Sequence, residues 1–129
     1  MEKEGTVSIW LGLFNPIEKL QGYLQVNYTS DVDFIDSKFE KDFNLEYFDE
    51  DLREIDYLNE STDSICDILT DHSYSESIIP NYIEEFGAKL DRKYNSLILL
   101  YNYTYTGEVK ETNFNKGYMK FMGTVNFTR

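Results

Sequence analysis

Carboxylates crowd one quarter of the chain, residues 31–63. This stretch holds thirteen acids and three bases, so it carries −10 of the formal net charge of −12. Carboxylates at this density are typical of a divalent-cation site, of an acid–base pair in an enzyme, or of a docking surface for a basic partner. From residue 92 onward the balance reverses, with six bases against Glu108 and Glu111.

The spacing of the acids does not fit a calcium loop. Asp31 and Asp33 begin like one, but Ile35 takes the fifth position and Asp36 stands where the loop needs Gly. The run at 49–51 fails in the same way. The chain also has no P-loop, no dinucleotide-binding glycine fingerprint and no HExxH motif. We therefore predict no metal and no cofactor, whereas a carboxylate pair acting on a glycosidic bond stays open, since its geometry depends on the fold.

Nucleophilic and thiolate chemistry has few residues to use. Cys66 and His72 are each the only residue of their type, which excludes a disulfide framework and most zinc sites. The usual Ser-His-Asp and Cys-His arrangements are excluded as well, unless His72 serves in one. We interpret His72 as an ordinary residue at a helix end, and Cys66, flanked by Asp63 and Asp67, as buried filler. The sequence thus predicts that the protein is not an enzyme.

A docking surface is the function that this composition favours. Aromatic residues, which often anchor interfaces, are interleaved with the acids at positions 34, 39, 43, 47, 48 and 57. Direct binding of nucleic acid is disfavoured because it needs a basic patch. We predict a basic protein partner, with a contact set formed by Asp31, Asp33, Asp36, Glu46, Tyr47, Phe48, Asp49, Glu50, Asp51, Glu54, Asp56 and Tyr57.

Location and assembly follow only in part from the sequence. No apolar run approaches the roughly 20 residues that span a bilayer, and the charged start of the chain leads into a β-patterned segment. We therefore expect a soluble, cytoplasmic protein without a membrane partner. The oligomeric state stays open.

The segment at 6–14 organises the predicted fold. Val7, Ile9 and Leu11 fall on one face of a strand, while small polar residues with Trp10 and Phe14 fall on the other. A helix over residues 16 to about 26 follows at once. We interpret Trp10 as a core residue, with a partner-facing anchor as the alternative.

The remaining elements complete a single α+β domain over residues 1–129. We predict a loop at 27–37, a helical turn at 38–43, a helix capped by Ser61 or Thr62, and a helix capped by Ser73. Residues 48–58 fit a strand better than a helix, and 96–105 and 118–127 are clear strands, with a bulge at Gly123. The expected architecture is a mainly antiparallel sheet of about four strands with helices packed on one face.

Several segments together resemble the immunity protein 22 family of bacterial polymorphic toxin systems. They are VSIWLG at 7–12, DFIDSKF at 33–39, KDF at 41–43, YFDED at 47–51 and SYSES at 73–77. The resemblance implies an α+β cytoplasmic protein, encoded beside a toxin, that binds and blocks that toxin. It carries over no particular contact residue. Many such toxins are nucleases with basic surfaces, which agrees with the predicted acidic face.

Two other function classes use the same residues. A small acidic adaptor or scaffold without a toxin partner has the same surface, and the neighbouring gene would separate it from an immunity protein. A carboxylate-dependent enzyme predicts an acid with a strongly raised pKa in a cleft, which titration by NMR would detect.

Overall fold

A computed structural model describes residues 2–24, 27–28, 34–35, 37–45, 52–70, 72, 74–114 and 116–128. These ranges contain four helices: α1 (Ile17–Leu24), α2 (Lys38–Asp42), α3 (Ile65–Leu69) and α4 (Ser75–Phe86). They also contain seven strands: β1 (Glu2–Leu13), β2 (Asn27–Tyr28), β3 (Phe34–Ile35), β4 (Arg53–Ser64), β5 (Lys89–Tyr103), β6 (Glu111–Phe114) and β7 (Gly117–Asn126). None of the described helices is long and apolar enough to cross a membrane.

β1 is the central strand of an antiparallel sheet. Five strands lie in the order β4-β5-β1-β7-β6, so β4 and β6 form the two edges. The predicted α+β class is confirmed, but the predicted count of about four strands is one too low. β6 was not predicted because its four residues, ETNF, carry almost no hydrophobic alternation.

Helices cover both faces of the sheet, so the prediction of helices on one face is wrong. The first core joins β1 to α3 and α4 and includes Val7, Ile9, Leu11, Ile65, Ile68, Leu69, Ile78 and Tyr82. The second core joins the opposite face to α1 and α2 and includes Trp10, Phe14, Leu20, Tyr23, Leu24, Phe39 and Phe43. The second face needs its own cover because Trp10 and Phe14 are large apolar side chains.

Trp10 is a core residue, as predicted. None of its surface is exposed, and its ring lies 5.3 Å from that of Phe39 and 5.8 Å from that of Phe43, measured between centroids. Phe39 and Phe43 are therefore not free to anchor a partner. They alternate with acids in sequence because one side of α2 is buried: Phe39 in the helix and Phe43 at its C-cap, four residues later, both point into the core.

Two irregular positions move side chains from one core to the other. Asn102 in β5 has a positive φ of 56°, and Tyr101 lies in the first core whereas Tyr103 lies in the second. Gly123 in β7 has a φ of 135°, and the pairing with β1 shifts there. The bulge predicted at Gly123 is confirmed. Its consequence is that Met119 and Val125, which the sequence pattern puts on one face, belong to different cores.

Element boundaries differ most in the polar segments. β2 pairs with β3 inside the predicted loop at 27–37. β4 continues through Ser61 and Thr62 to Ser64, so the predicted helix start there is wrong; α3 begins at Ile65 without a side-chain cap. Ser73, the predicted cap of α4, lies outside the described residues. β5 begins at Lys89, seven residues before the predicted strand, because pairing with β4 extends an otherwise charged segment.

Candidate functional site

The described part of the predicted contact set lies on β4. Glu54, Asp56 and Tyr57 are in this strand, at the edge of the sheet. The other predicted contact residues lie outside the described residues: Asp31, Asp33, Asp36, Glu46, Tyr47, Phe48, Asp49, Glu50 and Asp51. The strand favoured for residues 48–58 is confirmed from Arg53 onward.

Alternation along β4 separates its acidic side chains from its apolar ones. Glu54 is opposite Leu99 and Asp56 is opposite Leu97, both of which belong to the first core. Ile55 is opposite Ile98, which belongs to the second core. Because successive side chains of a strand point to opposite faces, the two carboxylates share the face of α3 and α4. Ile55 and Tyr57 share the face of α1.

His72 joins the two carboxylates. Its Nδ1 lies 3.2 Å from Glu54 Oε1, and its Nε2 lies 2.9 Å from Asp56 Oδ2. Only 11% of the His72 side chain is exposed. The imidazole therefore lies between the two carboxylates, with one ring nitrogen facing each of them. Sequence reasoning missed this contact, since it treated His72 as an ordinary residue; no local signal links residue 72 to residues 54 and 56.

Tyr101 approaches Glu54 from the neighbouring strand. Its hydroxyl donates to Glu54 Oε1 at 3.3 Å. Burial, followed by the negative charge of Glu54, raises the pKa of the Tyr101 hydroxyl above its usual range. The phenol therefore remains a donor near neutral pH, and it holds the Glu54 carboxylate next to His72.

Tyr57 ties the edge strand to the junction between β1 and α1. Its hydroxyl lies 2.9 Å from the Phe14 carbonyl oxygen and 2.9 Å from Asn15 Oδ1, and these two acceptors share its one proton. Asn95 Nδ2 donates to the same Phe14 oxygen at 2.8 Å. These bonds fix the tip of the tyrosine on the fold. As a partner anchor, Tyr57 can offer only its ring.

Further acids extend the same strand toward α3. β4 carries Glu60 and Asp63 in addition to Glu54 and Asp56, against the single base Arg53. Thr62 Oγ1 donates to Asp67 Oδ2 at 3.1 Å, which places an α3 carboxylate beside the strand. An open pocket of about 550 Å³ is lined by Asp56, Leu58, Asp67, Thr70 and His72. We refer to these acids together as the acidic face, which is defined by Glu54, Asp56, Glu60, Asp63 and Asp67.

An apolar groove lies on the opposite face of β4, against α1. Its volume is about 420 Å³, and it is lined by Ile17, Leu20, Gln21, Leu24, Ile55, Asp56 and Tyr57. Ile17 is 39% exposed and Ile55 is 38% exposed, although both are aliphatic. In the sequence, the groove is indicated only by Ile55, an isoleucine between two acids in an alternating strand. A groove was not predicted from this residue.

The described ranges do not assemble a metal site. Within them, no group of three or more His, Cys, Asp or Glu side chains is arranged to hold an ion. Cys66 is half-buried and packs against the first core. Binding of a partner through charge and apolar contact is the chemistry that the acidic face and the groove can perform.

Comparison with known protein families tests the resemblance that the sequence motifs suggested. The family model described as Immunity protein 22 matches residues 7–128. Neither the curated proteins nor the solved structures contain a significant match to the chain. The match runs from Val7 in β1 to beyond the end of β7 and includes the acidic face and the groove. The chain belongs to the Immunity protein 22 family.

Proposed function

We propose that the protein is an immunity protein that binds a cognate bacterial toxin and neutralises it by covering the toxin's functional surface. The observation that carries this proposal is membership of the Immunity protein 22 family over residues 7–128. The proposed action is binding without catalysis, and we place it in the cytoplasm.

The acidic face supports the proposal that the target is a basic surface of the toxin. β4 carries four acids and one base at an edge of the sheet. The twelve residues predicted from the sequence remain the proposed contact set, since Glu46, Asp49, Glu50 and Asp51 adjoin β4 in sequence. A nuclease fits this proposal best, because an acidic protein can occupy its phosphate-binding surface in place of nucleic acid.

The charge of the protein also favours the fast association with the toxin that this function requires. A toxin must be captured before it acts, and complementary charge raises association rates to about 10⁸–10⁹ M⁻¹s⁻¹, against about 10⁵–10⁶ M⁻¹s⁻¹ for neutral pairs. The formal net charge of −12 acts in the same direction at long range.

Co-expression tests the proposal. The reading frame next to the gene is expressed alone and together with this protein, and cell survival and co-purification are scored on the same cultures. We expect the neighbour to be toxic alone, survival to be restored by co-expression, and a complex that weakens as salt rises. A harmless neighbour, or a toxic one that is neither bound nor neutralised, would contradict the proposal and favour an acidic adaptor.

A further inference from the structure

We propose that the outer edge of β4 at Arg53–Tyr57 accepts an extended segment of the toxin as an additional strand, and that this segment alternates apolar with basic residues. This inference rests on the proposed function and names the part of the partner that the site takes. Three features of the described residues carry it: the orientation of the edge backbone, the apolar groove, and the carboxylates on the opposite face.

The backbone of β4 presents hydrogen-bonding groups away from the sheet. The Tyr57 N–H donates to Asp56 Oδ1 at 2.8 Å, so it faces away from β5. Alternate N–H groups of a strand point to the same side, and the pairing with β5 is in continuous register from Arg53 to Tyr57. The N–H groups of Arg53 and Ile55 therefore also point outward, and no described strand lies beyond β4. Such an edge is a template for strand addition.

The groove is the reason why we expect apolar residues at every second position of the incoming segment. A strand added beside β4 places every second side chain on the face of Ile55 and Tyr57, where the groove against α1 opens. Ile17 and Ile55 are among the described large apolar residues that remain exposed, and both line this groove. Apolar side chains at alternate positions of the incoming segment would remove this surface from water.

The acidic face is the reason why we expect basic residues at the remaining positions of the segment. The remaining side chains of the added strand lie beside Glu54 and Asp56, on the face of His72. Opposite charges on neighbouring strands are favourable, which requires Lys or Arg at these positions. The same charges disfavour a second copy of this chain as the occupant, because pairing the Arg53–Tyr57 edges of two copies would bring Glu54 and Asp56 of both copies onto neighbouring strands.

Hydrogen exchange with the intact protein tests the backbone pairing. The protein is purified alone and in complex with the toxin from the neighbouring reading frame, and amide exchange is compared. We expect the outward amides of Arg53 and Ile55 to exchange roughly ten-fold more slowly in the complex. The amides of Glu54 and Asp56 already point toward β5, so they serve as internal controls.

A matched pair of variants tests the groove. Ile55→Glu places a charge at the groove, whereas Val109→Glu makes the same change at a residue of nearly equal exposure, 38% against 37%, in the connection between β5 and β6. We expect Ile55→Glu to weaken toxin binding roughly ten-fold and Val109→Glu to leave it unchanged. Circular dichroism verifies that both variants are folded.

The outcomes separate this inference from the proposed function. If the neighbouring protein forms no complex, both are overturned. If a neutralising complex forms but the β4 amides exchange as in the free protein and Ile55→Glu binds like the wild type, only the edge-strand inference is overturned. Protection of the same amides in the protein alone, rising with its concentration, would assign the edge to a second copy and overturn the inference as well.

Discussion

His72 Nε2 lies 2.9 Å from Asp56 Oδ2, and this contact links the segment before α4 to the edge strand. The same imidazole reaches Glu54, so one side chain separates two carboxylates. We expect His72→Ala to lower the free energy of unfolding by about 1 kcal/mol, because it removes both contacts and leaves the carboxylates facing each other. Urea denaturation measures the change.

A double-mutant cycle isolates this interaction. Combining His72→Ala with Asp56→Asn should give a coupling energy of roughly 0.5–1 kcal/mol, as expected for groups in direct contact. Glu84, an exposed acid of α4, provides the control. The effect of Glu84→Gln should add to that of His72→Ala within about 0.5 kcal/mol. Equal coupling in the two cycles would show that the His72–Asp56 contact makes no specific contribution.

Charge reversal on β4 should slow toxin capture. We expect the triple variant Glu54→Lys, Asp56→Lys and Glu60→Lys to reduce the association rate constant by roughly ten- to a hundred-fold, because the complementary potential is lost locally. The salt dependence of the association rate should weaken in parallel. Stopped-flow mixing with the toxin at several salt concentrations measures both.

The control for this experiment has the same change in net charge. Glu84, Glu85 and Glu108 are exposed acids outside β4, and their reversal to Lys also changes the charge by +6. This variant should keep most of the wild-type association rate. If the two triple variants slow association equally, the overall charge of the protein, and not its acidic face, controls the encounter.

Strong hydrophobic periodicity explains what the sequence predicted correctly. The alternation of Val7, Ile9 and Leu11 identified the central strand, and these residues lie in the first core. The stripe of Ile78 and Tyr82 identified α4 in the same way, even with Pro80 inside the helix. In these segments burial and local pattern point to the same structure, so periodicity alone is sufficient.

Pairing between strands explains most of what the sequence did not predict. β6, the end of β4 and the start of β5 are rich in charged and polar residues, and their strand structure comes from their neighbours in the sheet. The bulges at Asn102 and Gly123 reverse which face a side chain takes, so alternation fails beyond them. The contact of His72 with β4 depends on the fold in the same way.

Glycine substitutions should have opposite effects at two positions. A Cβ at Gly12 would meet the Tyr118 carbonyl oxygen at 2.6 Å and Met119 Cε at 2.9 Å, whereas a Cβ at Gly22 would meet no atom within 4 Å. We expect Gly12→Ala to lower the free energy of unfolding by about 1–3 kcal/mol through overpacking. Gly22→Ala, inside α1, should raise it by about 0.5–1 kcal/mol. Equal effects in thermal or urea unfolding would contradict the packing at β1.

Trp10 should report on the second core. Because none of its surface is exposed, its fluorescence should be blue-shifted and insensitive to iodide in the folded protein, with quenching restored in urea. We expect Trp10→Ala to lower the free energy of unfolding by about 3–5 kcal/mol, since it leaves a cavity among four aromatic rings: those of Phe39, Phe43, Tyr105 and Phe121. Efficient quenching in the folded state would contradict this burial.

Buried tyrosines should make the protein unstable in alkali. Six described hydroxyls have a pKa raised above 10.0, chiefly by burial: Tyr23, Tyr82, Tyr94, Tyr101, Tyr105 and Tyr118. The pKa rises to about 12 for Tyr82, where Asp91 adds to the burial, and to about 12 for Tyr118, where Glu111 does so. Above pH 10 the unfolded chain releases protons that the folded protein still holds, so stability is complete below pH 10 and falls as pH rises.

Ultraviolet absorbance of tyrosinate, followed together with circular dichroism, measures this effect. The tyrosines with a raised pKa should ionise only as the protein loses its structure. In the urea-unfolded chain the tyrosines should instead ionise near pH 10. Tyr118→Phe removes one of the linked protons, so the decline of stability with pH should be shallower in this variant. Complete ionisation near pH 10 in a protein that is still folded would show that these hydroxyls are accessible to water. It would contradict the burial of tyrosine side chains in both cores.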